Sequence, residues 1–132
     1  MYRNPSLAVD AVVMDAKKIL LVRRKNDPFK GFYALPGGFV EYGETTENAV
    51  LRELGEETGI EGKVLGIVGV FSDPERDPRK HVVSIAYLVK PVEGELKASD
   101  DAVSCHWAPL KDLPVLAFDH RSIIGKATGV ME

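Results

Sequence analysis

The 132 residues are 45% hydrophobic and 28% charged, the mix of one ordinary globular domain large enough to bury a core. A net charge of −3 with no Lys/Arg block excludes a general binder of nucleic acid or of an anionic membrane surface. The single cysteine, Cys105, excludes an intrachain disulfide framework and a cysteine zinc cluster, and no run approaches the ~18 apolar residues of a membrane span.

The first ten residues, MYRNPSLAVD, lack the apolar stretch of a signal peptide, so the cytoplasm is the expected location. Residues 7–14 are rich in Val and Ala and read as a strand; 18–22 read as a second, joined to the first by a turn at Asp15 and Ala16 as a hairpin. Residues 23–30 are charged, carry Pro28 and read as a loop. Residues 32–39 form a short extended piece interrupted by Pro36, Gly37 and Gly38. Residues 45–58 form the clear helix, with Thr45 or Thr46 as N-cap and Gly59 where a C-terminal glycine stops it. Residues 64–71 and 82–89 read as strands on either side of the polar loop SDPERDPRKH. Residues 103–107 read as a short strand, 110–113 as a turn and 120–126 as a terminal helix. Cys105 and Trp107 are expected to pack in the core. Strands on both sides of a central helix, followed by a second helix, predict one mixed α/β layered domain over residues 1–132.

On a helical wheel at ~100° per residue, Val50, Leu51, Leu54 and Thr58 share one side. Glu53, Glu56 and Glu57 share another, side by side at i, i+3 and i+4. Like charges at this spacing repel, the negative end of the helix macrodipole adds to the cost, and no lysine stands among them. A solvated acidic face is one reading. The other is a cradle for a hard divalent cation such as magnesium, which accepts one to three carboxylates together with waters and substrate phosphates. No EF-hand loop pattern is present.

The surrounding residues separate these readings. Gly38, five residues, Glu44, seven residues, Arg52-Glu53-Leu54, one residue, Glu56-Glu57, one residue, Gly59-Ile60: this resembles the Nudix hydrolase signature at every fixed position. The preceding hairpin, the Leu35-Pro36-Gly37-Gly38 approach and the later strands are also similar to that family, so the resemblance covers the whole chain. It implies an α/β/α sandwich with a mixed sheet. It also implies metal-dependent hydrolysis of a nucleoside diphosphate linked to another group, with magnesium or manganese as the cation.

The resemblance carries roles onto matching positions. Glu53, Glu56, Glu57 and the Gly38 carbonyl match metal ligands, while Gly37 and Gly38 let backbone approach metal and phosphates closely. Glu44 matches an acid at the helix start, expected to interact with the helix N-terminus and steady the loop; Arg52 matches an arginine that holds a neighbouring glutamate. The catalytic base has two sources in the family, a glutamate of the helix (Glu56 or Glu57) or an acid of a later loop. Here that loop is KASDDAVS, with Asp100 and Asp101, of which Asp101 is the stronger candidate. Arg24, after the second strand, is expected on the substrate phosphates.

For the substrate, Pro74 lies 14 residues beyond Ile60, close to a marker of ADP-ribose pyrophosphatases in this family, and Pro78 follows it. Arg76, Arg79 and His81 of the same loop are candidates for an anionic substrate. The expected reaction is ADP-ribose to AMP and ribose 5-phosphate. Two alternatives stand beside it: a diphosphatase acting on nucleoside triphosphates or dinucleoside polyphosphates, and a non-catalytic nucleotide sensor on the same fold. The retained acids and the short chain weigh against the sensor. The expected partner is a small-molecule nucleotide, with neither nucleic acid nor membrane, and the resemblance implies a homodimer.

Overall fold

The computed structural model describes residues 3–95 and 105–129. Asp100, Asp101 and the first two residues of the strand expected over 103–107 lie outside the described residues.

The chain opens with a hairpin of β1 (Ser6–Asp15) and β2 (Lys18–Arg23). Met14 pairs with Ile19 and Asp15 with Lys18, so the connecting turn is Ala16–Lys17, one residue later than expected. Both residues are left-handed, at φ 50° and 68°, as a two-residue turn matching the right-handed strand twist requires. The extended stretch after the loop splits in two at Leu35–Pro36. β3 (Tyr33–Ala34) pairs with β2, and β4 (Gly37–Phe39) crosses to pair with β1.

Helix α1 (Thr46–Thr58) begins where Thr45 caps it, the hydroxyl accepting from the Asn48 N–H at 3.1 Å, and ends at left-handed Gly59 (φ 80°). It buries Ala49, Val50, Leu54 and Thr58, with Leu51 half-buried against the same cluster. β5 (Glu61–Phe71) and β6 (Val82–Glu93) pair antiparallel and run further than expected. The register shifts between Glu61 and Gly62, between Val64 and Gly66 and between Ile67 and Gly69. Each shift ends on a glycine, and bulges at glycine blur the period-two pattern that would have revealed the full strand. β7 (Cys105–Pro109) pairs with β2, and α2 (His120–Thr128) closes the described chain.

Among the described residues the strands form one seven-stranded sheet with the order β3-β2-β1-β6-β5, β4 also lying on β1 and β7 on β2. β1 and β6 run parallel and the other described pairs antiparallel, so the sheet is mixed. Alternate side chains serve two cores. Val9, Ala11, Val13 and Leu20 pack with Ala49, Val50 and Leu54 of α1. Val12, Ile19, Leu21, Ala86 and Ala108 pack with Ile123 and Ile124 of α2. A helix on each face of a mixed sheet is the expected α/β/α sandwich. Cys105 and Trp107 are half-buried on β7, each packed against a core cluster. Among the described residues no helix is long and apolar enough to cross a membrane.

Candidate active site

The β1–β4 ladder sets Gly37 opposite Asp10 and Gly38 opposite Val9. Gly37 has no room for a side chain, and one at Gly38 would enter only if the Glu53 carboxylate moved. A Cβ at Gly37 would fall 2.2 Å from the Val9 carbonyl oxygen, and one at Gly38 would fall 2.3 Å from Glu53 Oε2. The Gly38 backbone therefore lies directly against the Glu53 carboxylate. One residue back, the Gly37 N–H donates to Glu57 Oε1 at 2.8 Å. Two of the three helix acids are thus gathered onto one glycine pair.

The three acids occupy different surroundings. The Glu56 side chain is 60% exposed and that of Glu53 17%. Burial, then Glu53 and Asp10 nearby, push the Glu57 carboxyl up to about 7 against the Gly37 N–H and Arg24, which lower it. Burial also raises Glu53, with Arg52 opposing. The crowding is relieved by Arg52, whose guanidinium donates to Glu53 Oε2 and Glu56 Oε1, both at 3.2 Å, and to Glu44 at 2.6 and 3.0 Å. Glu44 is held at about 2 by the Arg52 hydrogen bond and the Glu41 N–H. Glu44 steadies the loop as expected by accepting the Glu41 N–H at 3.0 Å, while the Asn48 N–H of the helix N-terminus is capped by the Thr45 hydroxyl.

A cleft of about 270 Å³ opens beside the glycine pair, lined by Asp10, Arg24, Gly37, Gly38, Glu57, Arg76, Asp77, Arg79, Phe118 and His120, among others. Arg24 donates from Nε to the Pro28 carbonyl at 2.7 Å and lies 4.9 Å over the Phe118 ring. Burial and the neighbouring Arg79 lower its pKa, the condition of a cation awaiting negative charge. Arg79 pairs with buried Asp77 and borders the Phe39 and Phe118 rings. Arg76 also lines the cleft, but both arms are fastened to Asp119 at 2.8 and 2.6 Å. His81 bonds the Ser72 carbonyl at 2.9 Å and closes the base of its own loop instead of joining the cleft.

Among the described residues no three His, Cys, Asp or Glu side chains converge as a ready-made metal cage. The donors still suit magnesium, which keeps most of its waters and needs few protein oxygens. A hard carboxylate set, an acid raised to about 7 and a glycine backbone pressed on Glu53 are what a bound dication would repay.

The structure brings Arg24, Gly37, Gly38, Glu57 and Arg79 to one cleft, with Glu53 against Gly38 and Glu44, Arg52 and Glu56 tied to Glu53 through Arg52. It adds Asp10, Asp77, Phe118 and His120. Asp10 carried a signal, a lone acid inside an apolar strand that can be buried only with partners. Phe118 and His120 carried none. Their place is set when Tyr33 N–H donates to the Val115 carbonyl and Ala117 N–H to the Tyr33 carbonyl.

The NUDIX domain model matches residues 4–127. The chain is 55% identical over 124 residues to the "ADP-ribose pyrophosphatase" of Methanocaldococcus jannaschii, covering 94% of this chain and 73% of that protein. It is 32% identical over 139 residues to the "ADPR responsive transcriptional repressor NtrR" of Acinetobacter baylyi, covering 96% of this chain and 54% of that one. Among solved structures, the NUDIX domain of Shewanella oneidensis NrtR complexed with ADP ribose superimposes with a TM-score of 0.85 at 33% identity, covering 99% of this chain and 91% of that chain. With the signature acids on α1, the glycine approach on β4 and a family match along nearly the whole chain, this protein belongs to the NUDIX domain family of pyrophosphohydrolases.

Proposed function

We propose that the chain hydrolyses ADP-ribose to AMP and ribose 5-phosphate, using magnesium, with manganese able to replace it. The observation that carries this reading is that one cleft is lined by Gly37, Gly38 and Glu57 together with Arg24 and Arg79, acid and backbone approach beside guanidinium groups. Support for the substrate comes from the 55% identical M. jannaschii relative and from the ADP ribose held by the S. oneidensis domain.

Glu53, Glu56, Glu57 and the Gly38 carbonyl would hold the cation. Bound there, it would neutralise pyrophosphate charge and make water a better nucleophile. The chain's own residues do the rest. Arg24 and Arg79 meet the phosphate oxygens, and Arg24, already destabilised as a cation, gains most from them. Glu57 fixes Gly37 through its N–H. Arg52 keeps Glu53 and Glu56 aligned. Asp101, outside the described residues, is the first candidate for accepting the proton of the attacking water, and Glu56, more exposed than Glu53, is the second. The reading also places the protein in the cytoplasm as a homodimer; a light-scattering mass of one 14.5 kDa chain would remove the dimer.

The A. baylyi and S. oneidensis proteins keep a sensor of ADP-ribose as the second reading. A nucleotide panel assayed with and without magnesium separates the cases. Magnesium-dependent release of AMP and ribose 5-phosphate is expected. Tight ADP-ribose binding with no product would favour the sensor, and faster turnover of nucleoside triphosphates would favour the diphosphatase.

A further inference from the structure

Beneath the glycine pair lies a polar cluster that the reaction above does not use. Asp10, Ser84 and His120 are all buried, with 7%, 0% and 4% exposure. They come from β1, β6 and the first turn of α2. The Ser84 hydroxyl donates to Asp10 Oδ2 at 2.5 Å. His120 Nε2 faces Asp10 Oδ1 at 3.5 Å, and His120 Nδ1 accepts the Leu35 N–H at 3.0 Å. Because Nδ1 accepts, the imidazole is neutral with its proton on Nε2, directed at the carboxylate.

This cluster grips the crossing between β3 and β4. Leu35 and Pro36 lie between the two strands, since β3 ends at Ala34 and β4 begins at Gly37; the Pro36 carbonyl is held by the Ala11 N–H of β1 at 2.8 Å, and the Leu35 N–H by His120. The Leu35 N–H would otherwise be a buried donor without a ladder partner. Two residues on, a Cβ at Gly37 would stand 2.6 Å from Asp10 Oδ1. The carboxylate that faces His120 therefore also forms the floor under Gly37. Together with the Ala11–Pro36 bond and the β1–β4 ladder, Ser84, Asp10 and His120 thus help set the height of the Leu35–Gly38 backbone above β1, and with it the aim of the Gly38 carbonyl and the Gly37 N–H.

We propose that His120, braced by Asp10 and Ser84, is a positioning residue that fixes the Leu35–Gly38 segment for cation binding. The inference rests on the metal role proposed above for Gly38 and Glu53. Groups that orient a ligand without touching the metal typically change its affinity 10–100-fold when removed. The strut acts on the backbone that meets the metal, so it affects the cation more than the nucleotide.

The test uses the full chain in two states. In the metal-free protein, nitrogen NMR should show the Nε2–H tautomer of His120, and the Leu35 amide should be protected from deuterium exchange. An Nδ1–H tautomer or an unprotected Leu35 amide would overturn the strut. Manganese binding without nucleotide is then followed by electron paramagnetic resonance. His120→Leu should weaken it about tenfold. His120→Asn, which keeps an acceptor near Nδ1, should stay within about twofold of wild type. If both variants bind manganese as wild type does, the positioning role is wrong. If wild type itself binds no manganese, the metal reading fails and the inference with it, whereas an intact Leu35 bond would mark the strut as structural only. Should His120→Leu not fold, Ser84→Ala loosens the same brace, and unchanged manganese affinity there would equally overturn the proposal.

Discussion

Arg52 and Glu44, eight residues apart, meet through two parallel hydrogen bonds, Nε to Oε2 at 2.6 Å and Nη2 to Oε1 at 3.0 Å. The same guanidinium reaches Glu53, Glu56 and the Phe39 carbonyl. A planar fork is needed for this, so lysine is a poor substitute.

The first prediction concerns pH. Glu44 is at about 2 in the folded protein against an ordinary 4.5. The unfolded chain takes up the proton first, so the contribution of Glu44 to stability is complete above about 4.5 and is lost as pH falls from there to about 2. Thermal melts of wild type and Glu44→Gln across this window should converge as the pH drops. Curves that stay parallel throughout would remove the pairing as a stabilising element.

Cation removal should abolish turnover, and Glu57→Gln should lower the rate by orders of magnitude. In EDTA the same substitution should raise the melting temperature by about 5 °C, because it removes a half-buried charge repelled by Glu53 and Asp10 while keeping an acceptor for Gly37. Wild-type turnover of ADP-ribose in EDTA would sink the metal reading.

Gly38→Ala should cost about 100-fold in kcat/KM, since its Cβ would press on Glu53 and misplacing a reacting group by about 1 Å has that effect. Gly66→Ala, with nothing within 4 Å of the added Cβ, is the control and should be silent. Equal activity in the two variants would show that the close Gly38–Glu53 approach is irrelevant.

Arg24→Ala and Arg79→Ala should each raise the KM for ADP-ribose about tenfold or more, as charge-assisted phosphate bonds are lost. Arg79→Ala should also lower the melting temperature, because burial would raise Asp77 and the Arg79 hydrogen bonds are what bring it down. A melting temperature that falls with Arg24→Ala instead would reassign Arg24 to the fold.

Asp101→Asn should reduce kcat strongly with little change in KM, because proton acceptance matters only in the transition state. Steady-state kinetics decide it. Wild-type kcat in both Asp101→Asn and Asp100→Asn would move the base to the helix, with Glu56 first.

How much of this was legible depended on whether the signal was local. The sequence alone determined that Thr45 or Thr46 starts α1, that Gly59 ends it and that Glu53, Glu56 and Glu57 leave it on one side, because caps and helical spacing act within a few residues; the structure chose Thr45. It also determined the family, since the signature runs unbroken from Gly38 to Ile60. It placed β5 three residues short, because Gly62, Gly66 and Gly69 interrupt the alternation a strand is read by. Only the tertiary structure decided that Glu57 would be half-buried against Gly37 while Glu56 stayed in solvent, that Arg52 would relieve the crowded acids, and that His120 would meet Leu35, 85 positions away. Those are contacts between separate elements, created when β4 crosses onto β1 and α2 docks on the far face of the sheet. Nothing within a few residues of either partner encodes them, because the burial that gives each contact its energy exists only once the layers close.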